Sequence, residues 1–133
     1  MIEVNNRVVE LIKLSDYENI YEVDVFEKEF HGLFSKNKAE ARRYQNWLDR
    51  RLRILDESGA QATDGVLFRQ LSGYDNLLYE IRYPHSKANP RVIYCILSEE
   101  GALILLAASK EKSAADITAA ADRAFKRLKT LEE

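Results

Sequence analysis

Three runs in the second half of the chain, LLYEIRY (77–83), RVIYCIL (91–97) and ALILLAA (102–108), constrain the fold more than any other feature. Each is continuously apolar or alternates with period two, and only YPHSKANP and SEEG separate them. Strands joined by links that short pair as an antiparallel meander. Two further strand patterns, VVELIKL (8–14) and IYEVDVF (20–26), flank the turn-prone SDYEN near the start.

Helical periodicity fills the remainder. After a short helix or irregular segment at EKEFHGLF, Ala41, Tyr44, Leu48, Leu52 and Leu55 recur at steps of three and four, with Arg42, Arg43, Arg50 and Arg53 largely off that face. Asn37 followed by Glu40 reads as the capping box of this long helix, Gly59 as its stop, and Trp47 and Ile54 as residues that widen its apolar face. SGAQATDG (58–65) reads as a surface loop. In AADITAAADRAFKRLKTL, Ile117, Ala121, Ala124, Leu128 and Leu131 line one side of a closing helix, and Ser113 with Asp116 caps it. The predicted fold is α+β: a small, mainly antiparallel sheet with a long helix and a C-terminal helix packed on it.

With 133 residues, 46% of them hydrophobic and 32% charged, the chain has the size and composition of one globular domain, 1–133, with an N-terminal strand extension over about 1–14. No apolar run is long enough to cross a bilayer, and MIEVNNRVVE lacks the layout of a signal peptide, so no membrane partner and a cytoplasmic location are expected. One cysteine, Cys95, in a strand-like run reads as a buried core thiol, and two distant histidines, His31 and His85, give no metal-ligand spacing. No metal and no cofactor are expected.

The net charge of −2 hides a gradient. Residues 1–35 carry three Lys/Arg against eight Asp/Glu, whereas 36–57 carry seven against four and 110–129 six against three. Solvated helix faces account for such segments, and so do surfaces for different partners.

The loop between the first two meander strands concentrates Arg82, His85, Lys87 and Arg91 within ten residues, bracketed by Pro84 and Pro90. Side-chain alternation puts Arg82 on one face with Glu80 and Leu78, and antiparallel pairing brings Arg91 near it. Two guanidiniums on a rigid sheet would clamp a phosphate. The plainer reading pairs Arg82 with Glu80 or another acid and leaves Arg91 facing water. Lys110, Lys112 and the amides after Ser113 form a second candidate anion site at the mouth of the last helix, where the plainer reading is an ordinary cap.

The order of these elements, with FRQLSGYDNLLYEIRY, RVIYCIL and LILLAASKEKSAADITAAADRAFKRL, resembles the phage-derived HigB-like branch of the RelE/ParE superfamily, the toxins of type II toxin–antitoxin pairs. The resemblance spans roughly Phe68 to Leu128. The family's basic residue before a Leu-Ser/Lys-Gly turn matches Arg69 before Leu71-Ser72-Gly73. Its Leu-Trp/Tyr-Glu-Ile/Leu-Arg strand matches Leu78–Arg82, and its next strand, opening with Arg and carrying an aromatic, matches Arg91 and Tyr94. Ser109 stands where the family usually has Phe, and no His precedes it.

The resemblance implies a RelE-like fold and a ribosome-associated, metal-independent endoribonuclease that cleaves messenger RNA and arrests translation. Arg82, Arg91, Lys112 and His85 would be catalytic, and Arg69, Lys110, Ser113, Tyr94 and Lys87 would bind RNA or phosphate. A helix-turn-helix antitoxin would be the partner. In-line attack of a 2′-hydroxyl needs a base, an acid and cations for the extra phosphate charge, and His85 has the ring for proton transfer near neutrality. The alternative is a non-catalytic, protein-binding toxin, for example of the gyrase-poisoning type, or a phage-derived host-target binder. The acidic N-terminal segment either completes the sheet, shields the basic site, or mediates self-association.

Overall fold

Side chains that alternate in or out of the core need partners on both sides of a sheet, and the meander supplies its middle. The computed structural model describes residues 2–4, 7–58, 68–83, 86–97, 102–110 and 114–131. The chain runs β1 (Ile2–Val4), β2 (Arg7–Val9), β3 (Leu11–Lys13), β4 (Ile20–Val23), α1 (Phe26–Gly32), α2 (Lys38–Ser58), β5 (Phe68–Gln70), β6 (Leu78–Arg82), β7 (Pro90–Leu97), β8 (Ala102–Lys110) and α3 (Ala114–Leu131). The fold is α+β, with a six-stranded sheet in the order β3-β4-β8-β7-β6-β5.

The meander forms as its pattern predicts, with β6, β7 and β8 antiparallel. The sheet is mainly antiparallel, as expected, with one parallel pair, β4 with β8. VVELIKL is two strands, not one: β2 pairs with β1 in a separate hairpin, and β3 joins the main sheet through β4. IYEVDVF likewise ends as a strand at Val23, and Phe26 opens α1.

Tyr94 and Leu105 are register partners, and Leu105 lines one cavity with Phe26 and Phe30 of α1 and Leu48 and Leu52 of α2. That face of the sheet is therefore the α1/α2 face. The other, carrying Glu80, Ile93 and Ala107, is covered by α3, which packs on β8, β7 and β6 through Ala120, Ala121, Ala124 and Leu128. Asn37 Oδ1 accepts the Glu40 amide at 3.0 Å, the predicted cap of α2. Trp47 is sealed by the Tyr83 ring, stacked at 5.2 Å. Ile54 does not widen that face: one residue before the buried Leu55, it is turned about 100° off the buried stripe and is exposed. Gly59, proposed as the helix stop, lies outside the described residues, as does the loop that follows.

Between β5 and β6, Gly73, Tyr74, Asp75 and Asn76 all take positive φ, a tight left-handed turn that only Gly73 adopts without steric cost. Tyr74 anchors it by donating to Asp122 at 2.8 Å and packing edge-on against Phe125, both of α3.

β4 covers β8 only at Leu103–Leu105, and the outer edge of β8 beyond that is closed by charge. Glu29 Oε1 accepts the Ala108 amide at 2.9 Å, while Arg123 donates to the Ala108 carbonyl at 3.1 Å and Arg127 to the Leu106 carbonyl at 2.6 Å. Both guanidiniums also pair with Glu29, at 3.1 and 2.8 Å. This clip replaces the missing strand and locks α1 to α3 across the sheet edge.

Burial pushes the Glu29 carboxyl up, but its bond to Arg127, the Ala108 amide and the two guanidinium charges outweigh that and hold it below the usual carboxylate range. A depressed folded pKa stabilises the protein above the ordinary value of 4.5, and that stability drains as pH falls through the depressed one. Glu29→Ala, which strands a largely buried Arg127, should cost about 3 kcal/mol at pH 7. It should also flatten the acid limb of the stability curve, which urea denaturation at pH 7 and below pH 4.5 would measure.

Candidate functional site

Direct cross-strand pairing fixes the positions of three arginines around one carboxylate. Arg82 is the register partner of Arg91 across β6 and β7, and Arg69 is the partner of Glu80 across β5 and β6. Partners share a face, and so do residues two apart, so all four side chains leave the sheet on its α3 side. Glu80 Oε1 accepts a hydrogen bond from Arg69 Nε and another from Arg91 Nη1 at 2.9 Å, with Arg82 Nε at 3.8 Å.

Their exposures differ in a way that divides their work. The Glu80 side chain is 0% exposed and that of Arg91 6%, against 24% for Arg82 and 44% for Arg69. Arg91 thus does not face water; it is the inner partner of the carboxylate. Arg82 and Arg69 have partly exposed side chains, and both approach the same oxygen. One negative and three positive charges leave this group at +2, suited to a doubly charged or bridging anion such as a phosphate. Glu80 Oε2 is buried without a hydrogen-bond partner among the described residues.

The hairpin loop beside the group is pinned. Ser86 Oγ donates to the Tyr83 carbonyl at 2.8 Å and accepts the Asn89 amide at 3.1 Å, and the Ala88 amide donates to the Tyr44 hydroxyl of α2 at 3.0 Å. Lys87 projects from this loop, exposed. His85, with Pro84 before it, lies outside the described residues, as do Lys112 and Ser113, so their convergence with Arg82 and Arg91 is not described.

Two other sequence-derived candidates stand apart from the arginines. Lys110 leaves β8 on the α1/α2 face, with its ammonium 5.2 Å from the centre of the Phe34 ring, opposite to Ser109 and Arg91. Tyr94 is 0% exposed and stacks on Tyr79 at 5.6 Å, so its ring packs the core and has no face for a base. Ser109, in place of the expected aromatic, is buried beside its register partner Arg91. Cys95 is buried, as its strand context implies.

Glu80 itself is the residue the sequence reading undervalued, entering it only as a possible mate for Arg82. Its signal was an acid at a strand position flanked by residues that pair with apolar partners. No protein-family model matches the chain, and neither does any curated protein or solved structure. No helix among the described residues is long and apolar enough to cross a membrane.

Removing the central carboxylate leaves the buried Arg91 without its inner partner. Glu80→Ala should therefore cost about 3–5 kcal/mol. Arg69→Ala, which removes a half-exposed guanidinium, should cost about 1 kcal/mol or less. Urea titration of both variants checks the ranking, and equal costs would contradict the central role of Glu80.

Proposed function

We propose that this chain is the toxin of a type II toxin–antitoxin pair, a ribosome-associated endoribonuclease that cleaves messenger RNA without a metal and arrests translation in the cytoplasm. The observation that carries this reading is the group of three guanidiniums gathered on Glu80, two of them on partly exposed side chains. Arg82 and Arg69 would bind the scissile phosphate and its developing charge, and Arg91 would position them through the shared carboxylate. His85 is the candidate for proton transfer, and Lys112 a further catalytic cation. A small helix-turn-helix antitoxin would neutralise the toxin by covering the basic group.

A second reading keeps the partner and drops the chemistry: a protein-binding toxin, for example of the gyrase-poisoning type, or a phage-derived binder of a host target. It is favoured by the depth of Arg91, the burial of Tyr94 and the turning of Lys110 to the opposite face.

Primer extension on messenger RNA from translating ribosomes discriminates between them. The nuclease reading expects new 5′ ends within the decoding site. Arg82→Ala should lower their rate about 100-fold, the cost of losing one donor to a developing oxyanion. Because Arg82 is partly exposed, this variant should stay folded. Growth arrest without RNA cleavage, accompanied by gyrase-dependent DNA damage, would select the second reading.

A further inference from the structure

A cavity lies on the side of the sheet opposite the arginine group. It has a volume of about 270 Å³ and opens between α1, α2 and the β3–β4 turn. Its floor is apolar, built from Phe26, Phe30, Leu52 and Leu105, and its wall carries Asp16, Glu27 and Asp49. Glu22 of β4 also lines it, 5% exposed, and its carboxyl makes no side-chain hydrogen bond or ion pair among the described residues.

A buried carboxyl without a partner is costly, and this one has acids for neighbours. Burial, reinforced by the charge of Glu27, pushes the Glu22 carboxyl up to about 7. Two polar groups beside these acids, Gln45 and Tyr17, are committed or neutral. Gln45 donates to Asp49 Oδ1 at 3.0 Å. Burial and the Asp49 charge, opposed by Arg53, push the Tyr17 hydroxyl up to about 12. His31 of α1 stands on the rim, exposed. Among the described residues no three His, Cys, Asp or Glu side chains are grouped closely enough to hold a metal ion.

We propose that this cavity binds an organic cation, a guanidinium or primary ammonium on a short alkyl stem, with the charge on Glu22 and the stem on the apolar floor. A cation at that position supplies the partner Glu22 lacks, and the acidic wall draws it in. The occupant is either a free small molecule or an arginine or lysine side chain of another polypeptide, which share this chemistry. The site is independent of the arginine group on the α3 side, so failure of either assignment leaves the other standing.

The test is NMR of the full chain titrated with n-butylguanidinium, with n-butylurea as neutral isostere. Saturable shifts at the Leu48, Leu52 and Leu105 methyls are expected, with the urea weaker by at least about tenfold, as for a hydrogen bond to a charged group. Because binding lowers the Glu22 pKa, affinity should rise from pH 6 to pH 8, and calorimetry at pH 7 should register proton release. Glu22→Gln should abolish that release and weaken binding at least about tenfold, yet raise the melting temperature of the free protein at pH 8, so misfolding cannot explain the loss. N-acetyl-arginine amide bound as well as n-butylguanidinium supports a polypeptide side chain as occupant, and its exclusion supports a free small molecule. Equal binding of n-butylurea, shifts outside the cavity, or the same shifts with magnesium chloride would each overturn the proposal.

Discussion

A carboxylate shut off from water has to be answered by cations, and much of this structure follows from how Glu80 is answered. Leu78 and Arg82 sit two residues to either side of it on the same face, so its side chain is directed under α3 by the pleat of β6. Arg91 enters from β7 and Arg69 from β5. Three strands are thereby bound through side chains as well as backbone, at positions that a one-residue slip in register would send to the other face. An ion group of this kind gives less stability than a well-packed apolar core of equal volume. What it supplies is placement: two outer guanidiniums held by an inner anion, before any ligand arrives.

The nearness of Arg82 and Arg91 was legible in the sequence because it is local: period two assigns the face and a short loop assigns the partner strand. The register that makes them direct partners was not, and the structure supplies it. The capping of α2 by Asn37, also local, was legible. What was hidden is non-local or depends on a defect. Nothing in IYEVDVF announces that β4 will lie parallel to β8, since its partner is some eighty residues away. The fate of Lys110 turns on one bulge. Cys95 pairs with Ile104, yet Ile93 pairs with Ala107, so Leu106 is an extra residue in β8. That insertion reverses the alternation, bringing Ser109 beside Arg91 and sending Lys110 to Phe34 on the other side. Simple counting along ALILLAASK has no access to it.

The same bulge helps explain the closed edge of β8. Where β4 ends, the carbonyl of Leu106 and both backbone groups of Ala108 would be unpaired toward the outside, and Glu29, Arg123 and Arg127 take them up. A strand edge left open is a template for pairing with other chains. Here the basic excess of the last helix is partly spent inside the fold, which separates it from the net charge available to a partner. Arg127 in particular is buried and belongs to the sheet edge rather than to any surface.

Charge is thus sorted by face rather than by segment. Asp16, Glu22 and Glu27 line the cavity under α1 and α2, and Glu29 is taken by the arginines of α3. β4 and β8 lie between the two charged groups, with Ile20, Leu103 and Leu105 filling the interior near the acidic side. Low-dielectric packing of that kind strengthens each local field and keeps the two from being neutralised through solvent. An anion approaching the α3 side and a cation approaching the α1/α2 side would each meet a local charge set by its own strand neighbours, which is why a chain of nearly balanced composition can carry two patches of opposite sign.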